Sequence, residues 1–450
     1  MEQEVTLSMM LEAREARAAL QQELLARHLC PLVSFTMNIA GPVKNGPQIR
    51  RGFEIGLETL LTQLHLAGAE ILESVEKDAV TGCENIYAVR YPAASLKALT
   101  SDIEDASPIG RLFDMDVIAE NGVKLARPKP RTCLICGKPA QICARTRAHT
   151  VEELQSATRS MLRIAIQDAD TARGAEYAVR ALLFEVSVSP KPGLVDRINN
   201  GSHGDMDFYS FLSSAAALWP YFETCIRTGM ETAQEVPEAT LEALRPAGRQ
   251  AEYAMRRANG NVNTHKGAIF SLGVLCGALG RIDRSEWDLP ERILDEAAAM
   301  CHGIVQNELE NTEERNTAGQ HLYKAFRLAG IRGEAESGFL TVRKYGLPVL
   351  EEGLTMGKSP DEAGRAALLH MLAYAQDTNM ITRSSMTAFG SLQEELRDFL
   401  ITCPWPDQSY FEMKDRDFIR HNLSPGGTAD LLALCFMLHF LKEDKKWITR

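Results

Sequence analysis

The chain has 450 residues, 45% of them apolar, which exceeds what one hydrophobic core usually serves and predicts at least two globular domains. Its net charge of −11 argues against nucleic acid as a bulk partner, because phosphate backbones are bound by basic surfaces. The longest apolar runs, 269–279 and 429–441, are too short for a membrane span, which needs roughly 20 residues, so we expect buried helices there.

The first residues include two glutamates and no basic, apolar leader, so we expect no secretory signal and a cytoplasmic protein. Ten cysteines are spread along the chain, and Cys276, Cys301 and Cys435 fall inside apolar helical patterns. Such cysteines are typical of reduced core thiols rather than of a disulfide framework.

Residues 1–165 alternate helical and strand patterns and predict an α+β domain. Helical spacing covers 6–28, 53–66 and 96–103, while strand composition covers 32–39, the surroundings of Ile71 and Tyr87, and 112–119. Asn121 and Gly122, a strong hairpin signal, connect the last strand to 123–125. We therefore expect a mixed or antiparallel sheet.

Two aspartates two residues apart, Asp114 and Asp116, lie on the last of these strands and should face the same side of the sheet. Such a pair suits a divalent-metal site for nucleotidyl or phosphoryl transfer, in which Mg²⁺ bridges the carboxylates to the α-phosphate and the leaving pyrophosphate. A solvated face of an edge strand is the alternative, and the spacing alone does not decide between them.

The stretch 123–151 combines basic residues with a cysteine and histidine cluster. It contains no acidic residue and seven basic ones, namely Lys124, Arg127, Lys129, Arg131, Lys138, Arg145 and Arg147. Such a block usually solvates a loop, but beside a metal site it can hold a polyphosphate. The spacing of Cys133, Cys136, Cys143 and His149 is compatible with structural Zn²⁺, and equally with unmetallated thiols.

Residues 166–450 predict an all-α domain, because nearly every segment after Thr150 has helical spacing. Thr150 and Glu153 fit a capping box, so a helix should begin there and cross the domain boundary near residue 165. Most of the excess acid lies in this half: residues 1–165 carry 19 Lys and Arg against 20 Asp and Glu, and residues 166–450 carry 30 against 40.

Five polar connections interrupt the helical pattern of the second half with glycines, charges and histidines. They are 190–207, 260–267, 333–339, 377–383 and 424–430. Connections that carry such chemistry on a rigid scaffold are where sites usually lie. Each also has a plainer interpretation as a turn or a helix cap, but five of them in one helical domain exceed what capping requires.

The residues of these connections suit a phosphorylated ligand and acid–base chemistry. The turn with Ser424, Gly426 and Gly427 precedes an apolar helix, whose first amides and dipole favour an anion. The candidate phosphate cations are Lys191, Lys266 and Arg383, the candidate Mg²⁺ ligands or bases are Asp205, Asp207, Glu334 and Asp377, and the candidate proton carriers are His203 and His265.

In their order and spacing the five connections resemble the triphosphoribosyl-dephospho-CoA synthase family over residues 175–440. The resemblance implies that the 2′-hydroxyl of 3′-dephospho-CoA displaces adenine from C1 of the ATP ribose. For that chemistry our hypothesis assigns phosphate contacts to Lys191, Lys266, Arg383 and 424–427, Mg²⁺ to Asp205, Asp207 and Asp377, and the role of base to Glu334. Ser384 and Ser385 depart from the glycine-rich sequence expected after Arg383.

The first half resembles the apo-citrate lyase phosphoribosyl-dephospho-CoA transferase family over residues 10–155. The segments that carry this resemblance are 11–17, 34–38, 41–44, 110–117 and 133–149, and Cys83 departs from an expected proline. The resemblance implies that a serine of the citrate lyase acyl-carrier subunit attacks the α-phosphate of the triphosphoribosyl compound and releases pyrophosphate.

Within that resemblance Asp114 and Asp116 would hold Mg²⁺, and the run 114–117 is also similar to the metal motif of nucleotidyltransferases. Arg111 is a further catalytic candidate, and Lys44, Arg145 and Arg147 are candidate phosphate contacts. A third carboxylate, usual in nucleotidyltransferases, is not evident from the sequence.

The two resemblances support each other, because the product of the second half is the substrate of the first, and a fusion raises the local concentration of that intermediate. Two other interpretations remain. The first half could be a zinc-stabilised docking module for the carrier without catalysis. The second half could be an adenine-releasing glycohydrolase that uses water as the acceptor.

Overall fold

The computed structural model describes residues 3–310 and 318–444. It divides the chain into two compact units, Met1–Ala169 and Asp170–Arg450. Among the helices of the described ranges, none has the length and apolar character needed to cross a membrane.

The first unit is a four-stranded antiparallel sheet with helices. Its elements in chain order are α1 Leu7–His28, β1 Leu32–Met37, α2 Pro47–Leu66, β2 Glu70–Ala79, β3 Gly82–Arg90, α3 Ala93–Ala106, β4 Phe113–Ile118 and α4 Ala140–Thr146, and the strand order is β2-β3-β1-β4. The α+β prediction is confirmed. At the predicted hairpin, Ile118 and Lys124 form only an isolated bridge, with Gly122 in the left-handed region at φ 80°.

The two faces of the sheet are covered differently, because side chains alternate along each strand. Phe35, Met115 and Val117 are fully buried in a core that also includes residues of α2 and α3. On the other face α1 packs Leu24 against Leu32, within a smaller apolar cluster. The rest of that second face is polar, and it carries Asp114 and Asp116.

The outer edge of β4 has no neighbouring strand, yet its main chain is bonded by other groups. Glu104 accepts from the Met115 amide at 2.7 Å, and Lys97 donates to the Met115 carbonyl at 3.1 Å. Arg131 donates to the Phe113 carbonyl at 2.8 Å, and the Leu125 amide donates to the Val117 carbonyl at 2.8 Å. These four peptide groups are therefore satisfied without a fifth strand.

The second unit contains helices and no strand within the described ranges 170–310 and 318–444, which confirms the all-α prediction. Helix α5, Val151–Ser187, contains residues of both units. It begins at the predicted capping box, where the Thr150 amide donates to Glu153 at 2.9 Å and the Glu153 amide donates to the Thr150 hydroxyl at 3.2 Å. The others are α6 Phe208–Ala217, α7 Trp219–Glu231, α8 Pro237–Ala258, α9 Lys266–Arg281, α10 Pro290–Met300, α11 Ala318–Phe326, α12 Gly330–Glu336, α13 Leu347–Thr355, α14 Pro360–Leu372, α15 Thr378–Arg383, α16 Met386–Thr402, α17 Gln408–Arg420 and α18 Gly426–Glu443.

Helices α9 and α18 form the buried centre of this unit, as the two apolar runs predicted. Glycines let α7 approach α9 closely: a Cβ on Gly280 would lie 2.0 Å from the Ile226 carbonyl oxygen, and one on Gly229 would lie 2.1 Å from that of Gly277. Because α9 and α18 are held in the core, their N-terminal ends are fixed. Both ends open into the same cavity.

Candidate functional site

A cavity of about 500 Å³ in the second unit is lined by residues from all five predicted polar connections. It lies among the loop after α5 and the N-terminal ends of α9, α15 and α18, with α12 at its side. The predicted site residues that line it are Lys191, His203, Asp205, His265, Lys266, Glu334, Asp377, Arg383, Ser424, Gly426 and Gly427. Segments far apart in sequence thus meet in one polar cavity.

Asp207 is the one candidate of this half that does not line the cavity. Its exposed carboxylate caps α6, accepting from the Ser210 amide at 2.8 Å and from the Ser210 hydroxyl at 2.7 Å. The two aspartates of the segment 205–207 therefore have different roles: Asp205 faces the cavity, whereas Asp207 caps a helix.

Lys191 lies at the bottom of the cavity and is only 1% exposed. Its ammonium group forms an ion pair with Glu185 and donates to the Glu185 carbonyl at 2.8 Å. Burial raises the pKa of Glu185, and the Lys191 charge opposes that rise. Lys191 was expected to contact phosphate, but its charge is already matched. Glu185 was not predicted, because it lies in a helical pattern without a polar break.

His203 and Arg383 connect the loop after α5 to the start of α18. Arg383 donates to Nδ1 of His203 at 3.4 Å, so Nε2 carries the hydrogen and donates to the Ser424 hydroxyl at 2.8 Å. Burial, followed by the charge of Arg383, lowers the pKa of His203. The neutral imidazole leaves the Ser424 hydroxyl hydrogen free to donate to a ligand.

His265 is 2% exposed and immediately precedes α9. Its Nδ1 is 2.7 Å from the Ser214 hydroxyl, while its buried Nε2 has no hydrogen-bond partner among the described residues. Burial, and then the charge of Lys191, lowers the pKa of His265 to about 3. His265 thus lines the cavity as a neutral imidazole whose buried Nε2 is unpartnered within the described part of the chain, and buried polar atoms usually have a hydrogen-bond partner.

Glu334 on α12 also lines the cavity. Its carboxylate accepts from the Thr341 amide at 3.1 Å and from the Thr341 hydroxyl at 2.5 Å. Burial raises its pKa, and the two bonds from Thr341 oppose that rise. A carboxylate oriented by one neighbour and poorly solvated suits proton transfer.

Asp377 joins α15 to α18. It accepts from the amides of Asn379 and Met380 at 3.0 and 3.1 Å, and from the amide and hydroxyl of Thr428, both at 2.8 Å. These four bonds occupy the carboxylate, so its main effect is to hold the two helix ends together. At the next turn, Ser385 caps α16 by accepting from the Ala388 amide at 3.1 Å, which gives the unexpected serine a structural role.

Asp430 is a second lining carboxylate that the sequence did not single out, although it lies in the predicted segment 424–430. Burial, followed by the charges of Glu185 and Asp377, raises its pKa well above the ordinary range. A Cβ on Gly267 would lie 1.9 Å from its Oδ2, so the glycine allows Asp430 to approach the start of α9. The segment 424–430 was predicted to contribute to the site, but nothing in the sequence distinguished Asp430 from the other residues at the start of this apolar helix.

In the first unit Asp114 and Asp116 lie on the same face of β4, opposite Thr36 and Ser34 of β1. Arg131 donates to Asp114 at 3.2 Å, and Lys124 forms an ion pair with Asp116. The predicted pair is therefore assembled on the polar face, with one cation from the basic stretch beside each carboxylate.

Glu84 of β3 lies opposite Thr36, on the same face as the aspartates, and accepts from Arg17 at 2.6 Å. The sequence did not reveal this third carboxylate, because its neighbourhood depends on strand register. The other candidates are dispersed. Lys44 donates to the Ile39 carbonyl, and burial lowers the pKa of Lys44. Arg111 donates to the Thr132 carbonyl. Arg145 and Arg147 are exposed at the end of α4.

The four cysteine and histidine candidates come together. One ligand atom from each of Cys133, Cys136, Cys143 and His149 lies within 4.8 Å of all the others. Hydrogen bonds, the largest effect coming from the Lys138 backbone and the next from His149, lower the pKa of Cys136 to about 6, which favours the thiolate. All ten cysteines are free thiols, as expected.

Comparison with known proteins separates the chain in the same way. Residues 171–449 match the family model described as ATP:dephospho-CoA triphosphoribosyl transferase. Residues 5–164 match the model described as apo-citrate lyase phosphoribosyl-dephospho-CoA transferase.

Curated relatives match over the whole chain or over the second unit. Protein CitXG of Haemophilus influenzae is 36% identical over 97% of this chain and 96% of its own length. A probable 2-(5''-triphosphoribosyl)-3'-dephosphocoenzyme-A synthase of Pectobacterium carotovorum and a synthase of the same name from Pectobacterium atrosepticum are each 43% identical, over 59% of this chain and 87% of their own lengths.

Proposed function

The chain belongs to the family of fused proteins in which an apo-citrate lyase phosphoribosyl-dephospho-CoA transferase precedes an ATP:dephospho-CoA triphosphoribosyl transferase, and from this we infer which residues carry each reaction. The protein is a bifunctional transferase. It makes 2′-(5″-triphosphoribosyl)-3′-dephospho-CoA from ATP and 3′-dephospho-CoA with release of adenine. It then transfers the phosphoribosyl-dephospho-CoA group to a serine of the citrate lyase acyl-carrier subunit with release of pyrophosphate.

The observation that carries the assignment for the first reaction is the single cavity lined by all five polar connections. Displacement of adenine passes through an oxocarbenium-like state at C1 of the ribose. The attacking 2′-hydroxyl must lose a proton, and we assign that proton to Glu334, whose raised pKa and bonds from Thr341 suit a base. The leaving adenine gathers electrons and needs a hydrogen-bond donor.

We assign that donor to His265. If the Ser214 hydroxyl donates to Nδ1, the unpartnered Nε2 carries the hydrogen and can donate to a nitrogen of the departing adenine. A pKa of about 3 keeps this imidazole neutral, so it acts as a hydrogen-bond donor rather than as a cationic acid. Neutral donors placed where charge develops stabilise the transition state.

The triphosphate belongs at the start of α18. The first amides of a helix have no partner within it, so Gly426 and Gly427 can donate to phosphate oxygens together with the Ser424 hydroxyl. Lys266 at the start of α9 and Arg383 add positive charge. Lys191 contributes less, because it is committed to Glu185.

Mg²⁺ would supply charge neutralisation for the triphosphate, and the donors that fit it are carboxylates. Asp205 is 66% exposed and faces the cavity, and Asp430 is a lining carboxylate whose ionised form needs a nearby cation. We assign Mg²⁺ to these two residues rather than to Asp207, which caps α6, or Asp377, whose carboxylate is already bonded.

For the second reaction, Asp114 and Asp116 would hold Mg²⁺ at the α-phosphate, where the metal supplies charge stabilisation for attack by the carrier serine and departure of pyrophosphate. Lys124, which now pairs with Asp116, would be free to contact a phosphate oxygen, while Arg131 would stay beside Asp114. The cysteine and histidine group fits Zn²⁺ in donor type and separation. A cytoplasmic location belongs to the same proposal.

Mass spectrometry of the purified acyl-carrier subunit tests both activities, after incubation with the protein, ATP, 3′-dephospho-CoA and Mg²⁺. We expect a serine-linked phosphoribosyl-dephospho-CoA adduct, with adenine and pyrophosphate released in parallel. Adenine release without an adduct would restrict catalysis to the second unit and favour a docking role for the first. Adenine release without dephospho-CoA would favour a glycohydrolase.

A further inference from the structure

Three thiols and an imidazole converge after β4 in the first unit. The ligand atoms of Cys133, Cys136, Cys143 and His149, here called the Cys₃His cluster, lie within 4.8 Å of one another. In a tetrahedral zinc site with Zn–S bonds of about 2.3 Å, sulfur atoms are about 3.8 Å apart. The Sγ atoms of Cys136 and Cys143 are 3.4 Å apart, and the buried Nε2 of His149 has no hydrogen-bond partner within the described ranges.

The backbone around the cluster is shaped to bring these ligands together. The Cys133 amide donates to the Lys138 carbonyl at 2.6 Å, and Gly137 at φ 71°, directly after Cys136, donates to the Cys133 carbonyl at 3.3 Å and closes the turn that holds the first two cysteines. Helix α4 then carries Cys143. Arg147 at φ 47° ends that helix in the left-handed region, and the Ala148 amide donates to the Cys143 carbonyl at 3.1 Å, which returns the chain so that His149 reaches the cysteines.

The cluster is joined directly to the transferase site. Thr132 and Pro139 form an antiparallel bridge, and the Ala140 amide donates to the Arg131 carbonyl at 2.9 Å. The side chain of Arg131, two residues before Cys133, donates to Glu104 at 2.7 Å, to the Phe113 carbonyl at 2.8 Å and to Asp114 at 3.2 Å. The segment that ends in the cluster is the one that places a guanidinium beside Asp114.

We propose that the Cys₃His cluster binds one structural Zn²⁺, and that this ion holds Arg131 in position against Asp114. Four protein ligands leave no open coordination site, so the zinc stabilises the segment and takes no part in catalysis. Arg131 is accordingly a positioning residue for Asp114. The second statement rests on the proposed transfer reaction at Asp114 and Asp116, whereas zinc binding itself does not.

The test uses the full chain, purified and dialysed to remove loosely bound metal, with zinc measured by mass spectrometry. We expect about one zinc per chain, retained in Cys403→Ser, whose half-buried thiol lies outside the cluster, and lost in Cys136→Ser. In Cys136→Ser, carrier modification should fall at least about 10-fold while adenine release is unchanged. Unchanged adenine release shows that the second unit of the variant is folded, and partial recovery of transfer when zinc is added to Cys136→Ser would show the same for the first.

Arg131 is tested separately by Arg131→Gln and Arg131→Lys. Arg131→Gln should keep its zinc and lose transfer, and Arg131→Lys should restore part of the transfer, because a lysine replaces the charge without the planar fork. Cobalt substitution gives an independent readout, since thiolate ligation produces charge-transfer absorption that Cys136→Ser should weaken.

Each negative result has one meaning. A fully active protein without zinc, or one whose Cys136 and Cys143 form a disulfide, would overturn the metal site. Zinc loss in Cys136→Ser with full transfer, or full transfer in Arg131→Gln, would overturn the link to Asp114. A zinc-loaded wild-type protein that never modifies the carrier would contradict the proposed transfer reaction and leave the zinc site standing.

Discussion

Asp114 and Asp116 face the same side of the sheet, and each contacts one basic side chain. Replacing Asp114 by asparagine keeps the size but removes the charge that would hold Mg²⁺. We expect Asp114→Asn to lower carrier modification at least about 100-fold and to leave adenine release unchanged. Mass spectrometry of the carrier measures the first quantity and chromatography of adenine the second.

Asp102→Asn is a matched control, because Asp102 is exposed on α3 of the same unit. It should retain both activities. Persistent carrier modification in Asp114→Asn would instead support the docking-module interpretation of the first unit.

Glu334 offers a pH-dependent test of the other reaction. Burial raises its pKa, and a base works only when ionised, so adenine release should fall on acidification at a pH above the usual glutamate range. Glu334→Gln should lower adenine release about 10²–10⁴-fold and remove that acidic limb, because glutamine does not titrate. Initial rates measured across pH give both results.

Glu352→Gln is the control, because Glu352 is exposed on α13, and this variant should behave as wild type in the same assay. An unchanged acidic limb in Glu334→Gln would assign the proton to another lining carboxylate.

At the residue scale, the sequence predicted where polar chemistry lies better than what each residue does. Ten residues or more separate the five connections, yet their unusual composition identified the cavity. Roles depend on partners brought by folding: Lys191 pairs with Glu185, and Glu84 joins the aspartates through strand register. Neither relation is encoded in local spacing, so neither could be predicted.

Small residues let helices α7 and α9 pack closely. A Cβ on Gly280 would lie 2.0 Å from the Ile226 carbonyl oxygen, and backbone atoms cannot move aside as a flexible side chain can. We expect Gly280→Ala to destabilise the protein by at least about 1–3 kcal/mol through overpacking. Urea denaturation followed by circular dichroism measures the change.

Gly390→Ala on α16 is the control, because its Cβ would meet nothing within 4 Å. That substitution should stabilise by about 0.4–1 kcal/mol, since alanine has less freedom in the unfolded chain. Equal effects of the two alanines would show that α7 and α9 can separate without cost.

Helices and strands with strong periodicity were predicted closely, and Thr150 with Glu153 marked the start of α5 through a local hydrogen-bond pattern. The hairpin signal at Asn121 and Gly122 gave only a turn with an isolated bridge. Side chains already occupy the outer edge of β4 there, so the returning segment pairs with it only briefly. Competition of this kind depends on tertiary structure and is absent from the sequence pattern.

Two complementary sites in one chain allow a test of the whole molecule. We expect Asp114→Asn to retain the first reaction and Glu334→Gln to retain the second, so a mixture of the two proteins should modify the carrier although neither variant should do so alone. The intermediate then passes between molecules, and the yield should fall on dilution more steeply than for wild type, because fusion raises its local concentration. No adduct in the mixture at any concentration would contradict this expectation.

The side chains along the outer edge of β4 have a consequence for assembly. An open edge of peptide groups can recruit a strand from another chain, which begins aggregation or allows a partner to bind by extending the sheet. Here Glu104, Lys97 and Arg131 already bond those groups. We therefore expect that the carrier subunit does not extend the sheet at β4, and that its serine approaches Asp114 from the face of the sheet that carries the two aspartates.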